Sequence, residues 1–303
     1  MNPPYSHGIE RGHDGRTGAR HLRSAWNRIT DGGRLVAIRE KGAEVGGTWR
    51  DNSYPGAECD VQSHLYSYSF AGKPDWSQRY AGWQEIQQYI LDTTERFGVR
   101  PYVRFNQQVT GLHFDPDTAR WRVILASGLE LRARHVVLAT GPLHVPNLPR
   151  LPGLERFAGK VFHSAQWDHG YDLAGKRIAS IGTGGSAIQY CPRIAPAAAQ
   201  LHVFQRTPAW VIPRDVRTYS ESTKKRFGRF DVLRRLHRAR LYWTNESRVW
   251  PIFHPTLARG LQRLARWNIR RAVGDESLAR KLTPDYTIGC KRVLISNEWY
   301  PMF

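Results

Sequence analysis

An α/β fold is predicted for this chain of 303 residues by three features. Residues 177–206 run strand, glycine turn, helix, strand; a short apolar strand ends in an acid at Glu40; and residues 215–282 are helical in spacing and rich in arginine. Each of the first two matches part of a Rossmann-like dinucleotide-binding unit, so two such domains are expected, the first incomplete and the second fuller, with a helical insertion. The expected boundaries are 1–33 as an atypical start, 34–141 as the partial first domain with a β-meander, and 142–303 as the second domain, its insertion at about 215–282.

Residues 1–33 are polar, arginine-rich and dotted with glycine. Only Leu22, Ala25, Trp26 and Ile29 recur at helical spacing, which predicts at best one short helix stopped by Gly32 and Gly33. The run 34–40 (RLVAIRE) reads as a strand and GGTW at 46–49 as a glycine turn. A helix is expected over 83–97, because Trp83, Ile86, Tyr89, Ile90 and Phe97 fall largely on one face. From 104 to 131 the short runs VTGLHF, ARWRVILA and LELRA predict an antiparallel meander, and HVVLATG at 135–141 reads as a buried strand. Pro142, Pro146, Pro149 and Pro152 then mark an extended connector, with the domain boundary near Gly141.

The 41% hydrophobic and 12% aromatic content supports a sizeable core and excludes collagenous, disordered and disulfide-framework classes. Cys59, Cys191 and Cys290 lie far apart with no CxxC pair, so no metal site is expected and a reducing, cytoplasmic setting fits. There is no charged-then-apolar leader and no run near the roughly 18 apolar residues that a bilayer requires. A net charge of +19 calls for an anionic cofactor, nucleic acid or acidic partner. Much of it sits in 204–281, with 19 Lys or Arg against 6 Asp or Glu. Trp243, Trp250 and Trp267 are interleaved there; their spacing reads as helix packing rather than as a nucleic-acid surface. Oligomeric state is not fixed by the sequence.

Gly182-Thr-Gly184-Gly185-Ser186-Ala187 follows one predicted strand and opens a predicted helix. Its first glycine makes the tight turn, and the second lets backbone approach a pyrophosphate. Arg206 stands at the end of the next strand, where an NAD site carries an acid, and an arginine there selects a 2′-phosphate, hence NADPH. Glu40 is the complementary case: an acid at a strand end accepts hydrogen bonds from an adenosine ribose without a 2′-phosphate, as in FAD. Taken singly, Glu40 reads first as a solvated strand-end carboxylate.

Phe157, Gly159, His163, Trp167 and Asp168 are set in FAGKVFHSAQWD just after the proline-rich connector. By residue chemistry alone His163 reads as a packed or capping histidine. The spacing, however, resembles the signature of the Baeyer-Villiger monooxygenases, within the wider flavin-containing monooxygenase group. EKGAEVGGTWRDNSYPGAECDVQSHLYSYSF at 40–70, ATG at 139–141, FQRTPAWVIPR at 204–214 and CKRVLISNEWYP at 290–301 agree with that family, so the resemblance runs from about residue 36 to the end.

The resemblance implies FAD reduced by NADPH, reaction with O2 to a C4a-peroxyflavin, and attack on a ketone to give an ester or lactone. It implies that Arg292 stabilises the negative peroxyflavin and that Asp60 holds that arginine in place. It makes Lys291, with Arg206 and Thr207, the group that reaches the NADPH 2′-phosphate, and Gly46, Gly47, Thr48 and Trp49 the loop along the flavin. Two other readings stand beside it: oxygenation of an amine or sulfide, and an NADP-binding remnant without turnover.

The chain also departs from the family pattern. A strand with GxGxxG is expected about 25 to 30 residues before the ribose-binding acid, yet upstream of Glu40 only Gly8, Gly12, Gly15 and Gly18 occur, without GxG spacing. Residues 1–35 are therefore expected to be unrelated to the family or a frame-shifted reading of its start, and the chain to be truncated at both ends.

Overall fold

The computed structural model describes residues 36–141 and 145–303; the expected helix near 22–29, the strand start at 34–35 and Pro142 lie outside them. In chain order the first elements are strand β1 (Ile38–Arg39), a one-turn helix α1 (Thr48–Asp51), helix α2 (Trp83–Arg96) and strand β2 (Val103–Arg104). A meander of β3 (Val109–Asp115), β4 (Arg120–Leu125) and β5 (Glu130–Ala133) follows. Then come β6 (Arg177–Ile181), α3 (Ala187–Ile194), β7 (Gln200–Phe204) and β8 (Val211–Ile212). Helices α4 (Glu221–Arg229), α5 (Asp231–Val249), α6 (Pro255–Val273) and α7 (Glu276–Leu282) lead to β9 (Leu294–Ile295). The fold is mixed α/β, as expected.

The described residues divide into two compact units. One gathers 36–45, 67–72 and 90–138; the other gathers 46–66, 73–89 and the described residues from 139 to 303. In the first, β1 pairs with β2 in parallel, Ile38 opposite Val103, and β3, β4 and β5 form the expected antiparallel meander. The meander is amphipathic, with Val123 and Leu125 of β4 buried.

Two strand expectations need correction. Of the strand read over 34–40, the described residues 36–40 keep only the two of β1, and HVVLATG at 135–141 is irregular, with Val137 88% and Leu138 70% exposed. A short apolar run becomes a strand only where a neighbouring ladder takes its backbone hydrogen bonds and other layers cover its faces. Among the described residues no strand lies beside 135–141.

The second unit contains the βαβ turn: β6 and β7 pair in parallel from Arg177 opposite Gln200 to Ile181 opposite Phe204, and α3 bridges them. One face of α3 (Ala187, Ile188, Cys191, Ile194) is buried, and the first three enter a core with Trp210, Val211, Ala265, Ile269 and Trp299. Trp210 is fully buried, and its indole Nε1–H donates to the Tyr286 carbonyl at 3.0 Å.

The insertion is helical as expected from 221 onward. Ser220 caps α4 by accepting the Thr223 N–H, and Asp275 caps α7 by accepting the Leu278 N–H. Gly274 stops α6 at φ 74°, a left-handed conformation that glycine adopts without a Cβ penalty. Helix α6 turns Ala258, Ala265 and Ile269 inward. The three tryptophans do not pack as expected: Trp243, Trp250 and Trp267 are 68%, 61% and 54% exposed. Helical periodicity fixes that residues share a face, not which of two apolar faces is covered. No helix among the described residues is long and apolar enough to cross a membrane.

Candidate nucleotide and ion-pair site

The glycine turn after β6 has the backbone that its sequence requires. Gly182 sits at φ 106°, and its N–H donates to the Phe204 carbonyl at 2.9 Å, which closes the turn onto β7. A Cβ placed on Gly182, Gly184 or Gly185 meets no protein atom within 4 Å, so the backbone here borders open space. Ser186 occupies the N-cap of α3 without a side-chain capping bond, and Ala187 begins the helix, buried. Arg206 and Thr207 lie in the bend just beyond β7, Arg206 exposed.

Lys291 is exposed, its ammonium 4.6 Å from the centre of the Tyr286 ring, a cation–π contact. The Tyr286 hydroxyl donates to the Pro208 carbonyl at 3.1 Å, which ties this aromatic to the segment that follows Arg206.

Arg292 and Asp60, 232 positions apart in sequence, are brought together: Arg292 Nη2 donates to Asp60 Oδ2. The arginine side chain is 65% exposed and the carboxylate 29%. The strap that carries Asp60 is held on two sides. Ser63 N–H donates to the Arg79 carbonyl at 2.7 Å, and Ser63 Oγ accepts from the Ala81 N–H at 2.9 Å. From α5, Asn245 exchanges a reciprocal amide pair with Gln62 at 2.9 and 3.1 Å, and Arg238 donates to the carbonyls of His64 and Leu65 at 2.6 and 3.0 Å. Sequence reasoning missed Asn245 and Arg238, since a helical basic stretch gives no sign of which side chain reaches a loop 170 or more residues earlier.

Glu40 follows β1, and its Oε1 accepts the Gly42 N–H at 2.7 Å, a strand-end turn. Gly46 and Gly47 take φ 118° and 50°, and their carbonyls accept from Trp49 and Asp51 as the chain enters α1. Thr48 begins α1, and Trp49 donates its indole N–H to the Tyr66 hydroxyl at 3.0 Å.

The signature segment is held together locally. His163 Nδ1 accepts the Ala165 N–H at 3.1 Å, so it caps a single turn at Ser164–Gln166. Trp167 packs between Phe162 and Tyr190, with ring centres 5.2 and 5.3 Å away. Asp168 pairs with Lys160 at 2.8 Å and accepts the Gly170 N–H, and that lysine, then that N–H, hold its carboxyl below the usual carboxylate range. Phe157 is exposed, and a Cβ on Gly159 would stand 2.5 Å from its ring, so glycine gives the ring room to lie flat over the chain.

Tyr54, Glu58, Trp83, His169 and Arg193 line a cavity of about 660 Å³ in the same unit. Burial pushes the Glu58 carboxyl up, opposed by its partner Arg214. Tyr54 donates to Gln189 Oε1 at 2.9 Å, and Gln189 donates back to the Glu58 carbonyl, which joins this loop to α3. No cluster of metal-ligating side chains occurs among the described residues.

A family model described as flavin-binding monooxygenase-like matches residues 36–276. A Baeyer-Villiger monooxygenase of Streptomyces coelicolor is 46% identical over 274 residues, 90% of this chain and 52% of that protein. One of Pseudomonas aeruginosa is 47% identical over 265 residues, 87% of this chain and 50% of that protein. The chain thus spans about half the length of these curated relatives. Among solved structures, an oxidized steroid monooxygenase bound to NADP superposes with a TM-score of 0.78 at 34% identity, covering 92% of this chain and 61% of that one. OTEMO in complex with FAD and NADP gives 0.80 at 28% identity, covering 94% and 62%.

Proposed function

Because the chain belongs to the flavin-binding monooxygenase-like family, we propose that it acts in an NADPH- and O2-dependent flavin monooxygenase that converts a ketone to an ester or lactone. Residues 34–141 form the partial FAD-type domain in this reading, and 142–303 the NADPH-type domain with its insertion.

The residues present fit NADPH. The open backbone at Gly182, Gly184 and Gly185 admits a pyrophosphate at the start of α3, and Arg206 supplies a cation where a 2′-phosphate falls. They fit FAD in part: Glu40 offers a ribose acceptor and Gly46–Trp49 a loop, while no GxGxxG precedes Glu40 in the sequence. When bound, the flavin supplies hydride acceptance and oxygen activation; no residue of this chain replaces that chemistry.

What the chain contributes is placed charge, and the Asp60–Arg292 pair carries the reading. Asp60 orients the guanidinium, and Arg292, largely exposed, keeps donors available for an anion that develops beside it. The positive end of α3 and Arg206 hold the nucleotide.

The test is flavin content, NADPH oxidation and ester formation by the purified chain with added FAD, with and without a cyclic ketone. Ester formation is expected, and Arg292→Ala is expected to lower it by about 10²-fold or more with NADP⁺ affinity unchanged. Absence of both flavin binding and NADPH oxidation would refute the enzyme reading. The missing upstream GxGxxG favours a second reading, NADP(H) binding without turnover, and that outcome would leave it standing.

A further inference from the structure

The residues just before Asp60, 54–58, lie against the first turn of α3, the turn that the glycine motif opens. Gln189 makes the junction. Its side chain accepts from the Tyr54 hydroxyl at 2.9 Å and donates to the Glu58 carbonyl at 3.0 Å, so one amide spans both ends of the loop. The backbones also approach closely: a Cβ on Gly56 would stand 2.9 Å from the Gln189 carbonyl oxygen. The Tyr54 ring meets that of Tyr190 edge-on with centres 6.0 Å apart. Tyr54 also feels both neighbouring sites. Burial pushes its pKa up, the nearby Ser186 hydroxyl eases it back, and the Asp60 carboxylate pushes it up again.

We propose that Gln189 is a positioning residue that couples nucleotide occupancy at the start of α3 to the placement of Asp60, and through Asp60 to that of Arg292. This rests on the nucleotide reading above, and it concerns a side chain engaged by the strap rather than by the glycine turn.

The backbone supplies the connection. Gln189 N–H and Tyr190 N–H both donate to the Ser186 carbonyl at 3.0 Å, so Gln189 moves with the residue that ends the glycine turn. Ser186 gives the helix no side-chain cap, and an uncapped first turn opens more easily than a capped one. A pyrophosphate that accepts the free N–H groups of that turn holds it closed. With the turn closed, the Gln189 amide stays in register with Tyr54 and Glu58. Each of its two hydrogen bonds is worth about two- to tenfold in an equilibrium, so a coupling of about fivefold or more is expected.

The probe is NADP⁺ with the full chain, with no flavin added. Calorimetry reads its affinity, and amide hydrogen exchange reads residues 56–60 with and without it. In the wild type NADP⁺ is expected to slow exchange there by about fivefold or more. Gln189→Leu, close in size, is expected to abolish that slowing while 186–190 are still protected. Its NADP⁺ affinity is expected to stay within about twofold, because the strap is already closed in the free chain and affinity reports that closed state. A residue that only packs the strap would raise exchange equally with and without NADP⁺, so the ratio of the two rates separates coupling from structure. Tyr54→Phe keeps the ring on Tyr190 and removes only the hydroxyl; it is expected to give an intermediate ratio, and it decides alone if Gln189→Leu fails to fold. If the wild type binds NADP⁺ without slower exchange at 56–60, or if the variants keep the full slowing, the coupling is overturned while the nucleotide site survives. If the wild type does not bind NADP⁺, the nucleotide site itself is overturned, and the coupling with it.

Discussion

His64 offers the sharpest link between packing and solution behaviour. It is 2% exposed, and its ring stands 5.0 Å from those of Tyr219 and Phe227 and 5.2 Å from that of His237. Its Nε2 is buried without a hydrogen-bond partner. Burial first, then the neighbouring His237, Arg234 and Arg238, depress its pKa to about 3. In the unfolded chain the same imidazole titrates near about 6.5. Below that pH the unfolded chain takes up a proton that the folded chain refuses, so stability is full at neutral pH and falls as pH drops from about 6.5 toward 3. At pH 5 the loss is about 1.36 kcal/mol for each of about 1.5 pH units, or about 2 kcal/mol. His237, also depressed by burial, adds a loss of the same sign. Urea unfolding followed by tryptophan fluorescence at about pH 7.5 and pH 5 measures it. His64→Phe, which keeps a ring and removes the titration, is expected to lose about 2 kcal/mol less than the wild type over that interval. Equal losses in the two proteins would refute the reasoning, as would a His64 ring resonance titrating near 6.5.

Other consequences are more local. Trp210→Ala empties a fully buried site and frees the Tyr286 carbonyl, with an expected cost of about 3–5 kcal/mol in chemical denaturation. Gly56 lies at φ 77°, where a Cβ would sit 2.9 Å from the Gln189 carbonyl oxygen; Gly56→Ala is expected to destabilise by at least about 1–2 kcal/mol, read as a lower thermal midpoint. Gly184→Val has the opposite profile. The protein has room for the side chain and the pyrophosphate does not, so the midpoint is expected to hold while NADP⁺ affinity, by calorimetry, falls about tenfold or more.

The legible parts of the molecule are those whose cause is local. Strand, glycine turn and helix at 177–194 follow one another, so alternation and Gly182 suffice to read them, as the facing apolar set of α2 suffices for a helix over 83–96. The segment 135–141, read as a buried strand, is irregular because its state depends on neighbours, which an apolar run does not announce. Trp243, Trp250 and Trp267 failed for a related reason: their period is right, and the covering layer is elsewhere. Asp60 and Arg292 became candidates only through resemblance, and nothing in residue spacing couples positions so distant.

The Asp60 strap shows why an exposed ion pair can still point to function. A pair in which Arg292 is 65% exposed adds at most about 1 kcal/mol to stability, so it does little to hold the fold. Yet Cys59, Gln62, Ser63 and His64 around Asp60 are each 4% exposed or less, and their polar groups, His64 Nε2 apart, engage Arg79, Ala81, Arg238 and Asn245. Burying so many polar groups is tolerated only when they are paired, and pairing them fixes the backbone from which the Asp60 carboxylate projects. A rigid mount beneath a weakly stabilising charge is what placing a cation beside a reacting group requires, since misplacement of about 1 Å costs about 10²-fold in rate. Loosening the mount from the helical side separates the two roles. Asn245→Leu removes both hydrogen bonds between Gln62 and α5 and leaves that amide only the Tyr80 hydroxyl at 3.5 Å, and is expected to raise amide hydrogen exchange across 59–65 and to lower ester formation, with NADP⁺ affinity unchanged. Faster exchange in that strap with full ester formation would show that the pair does not depend on the mount.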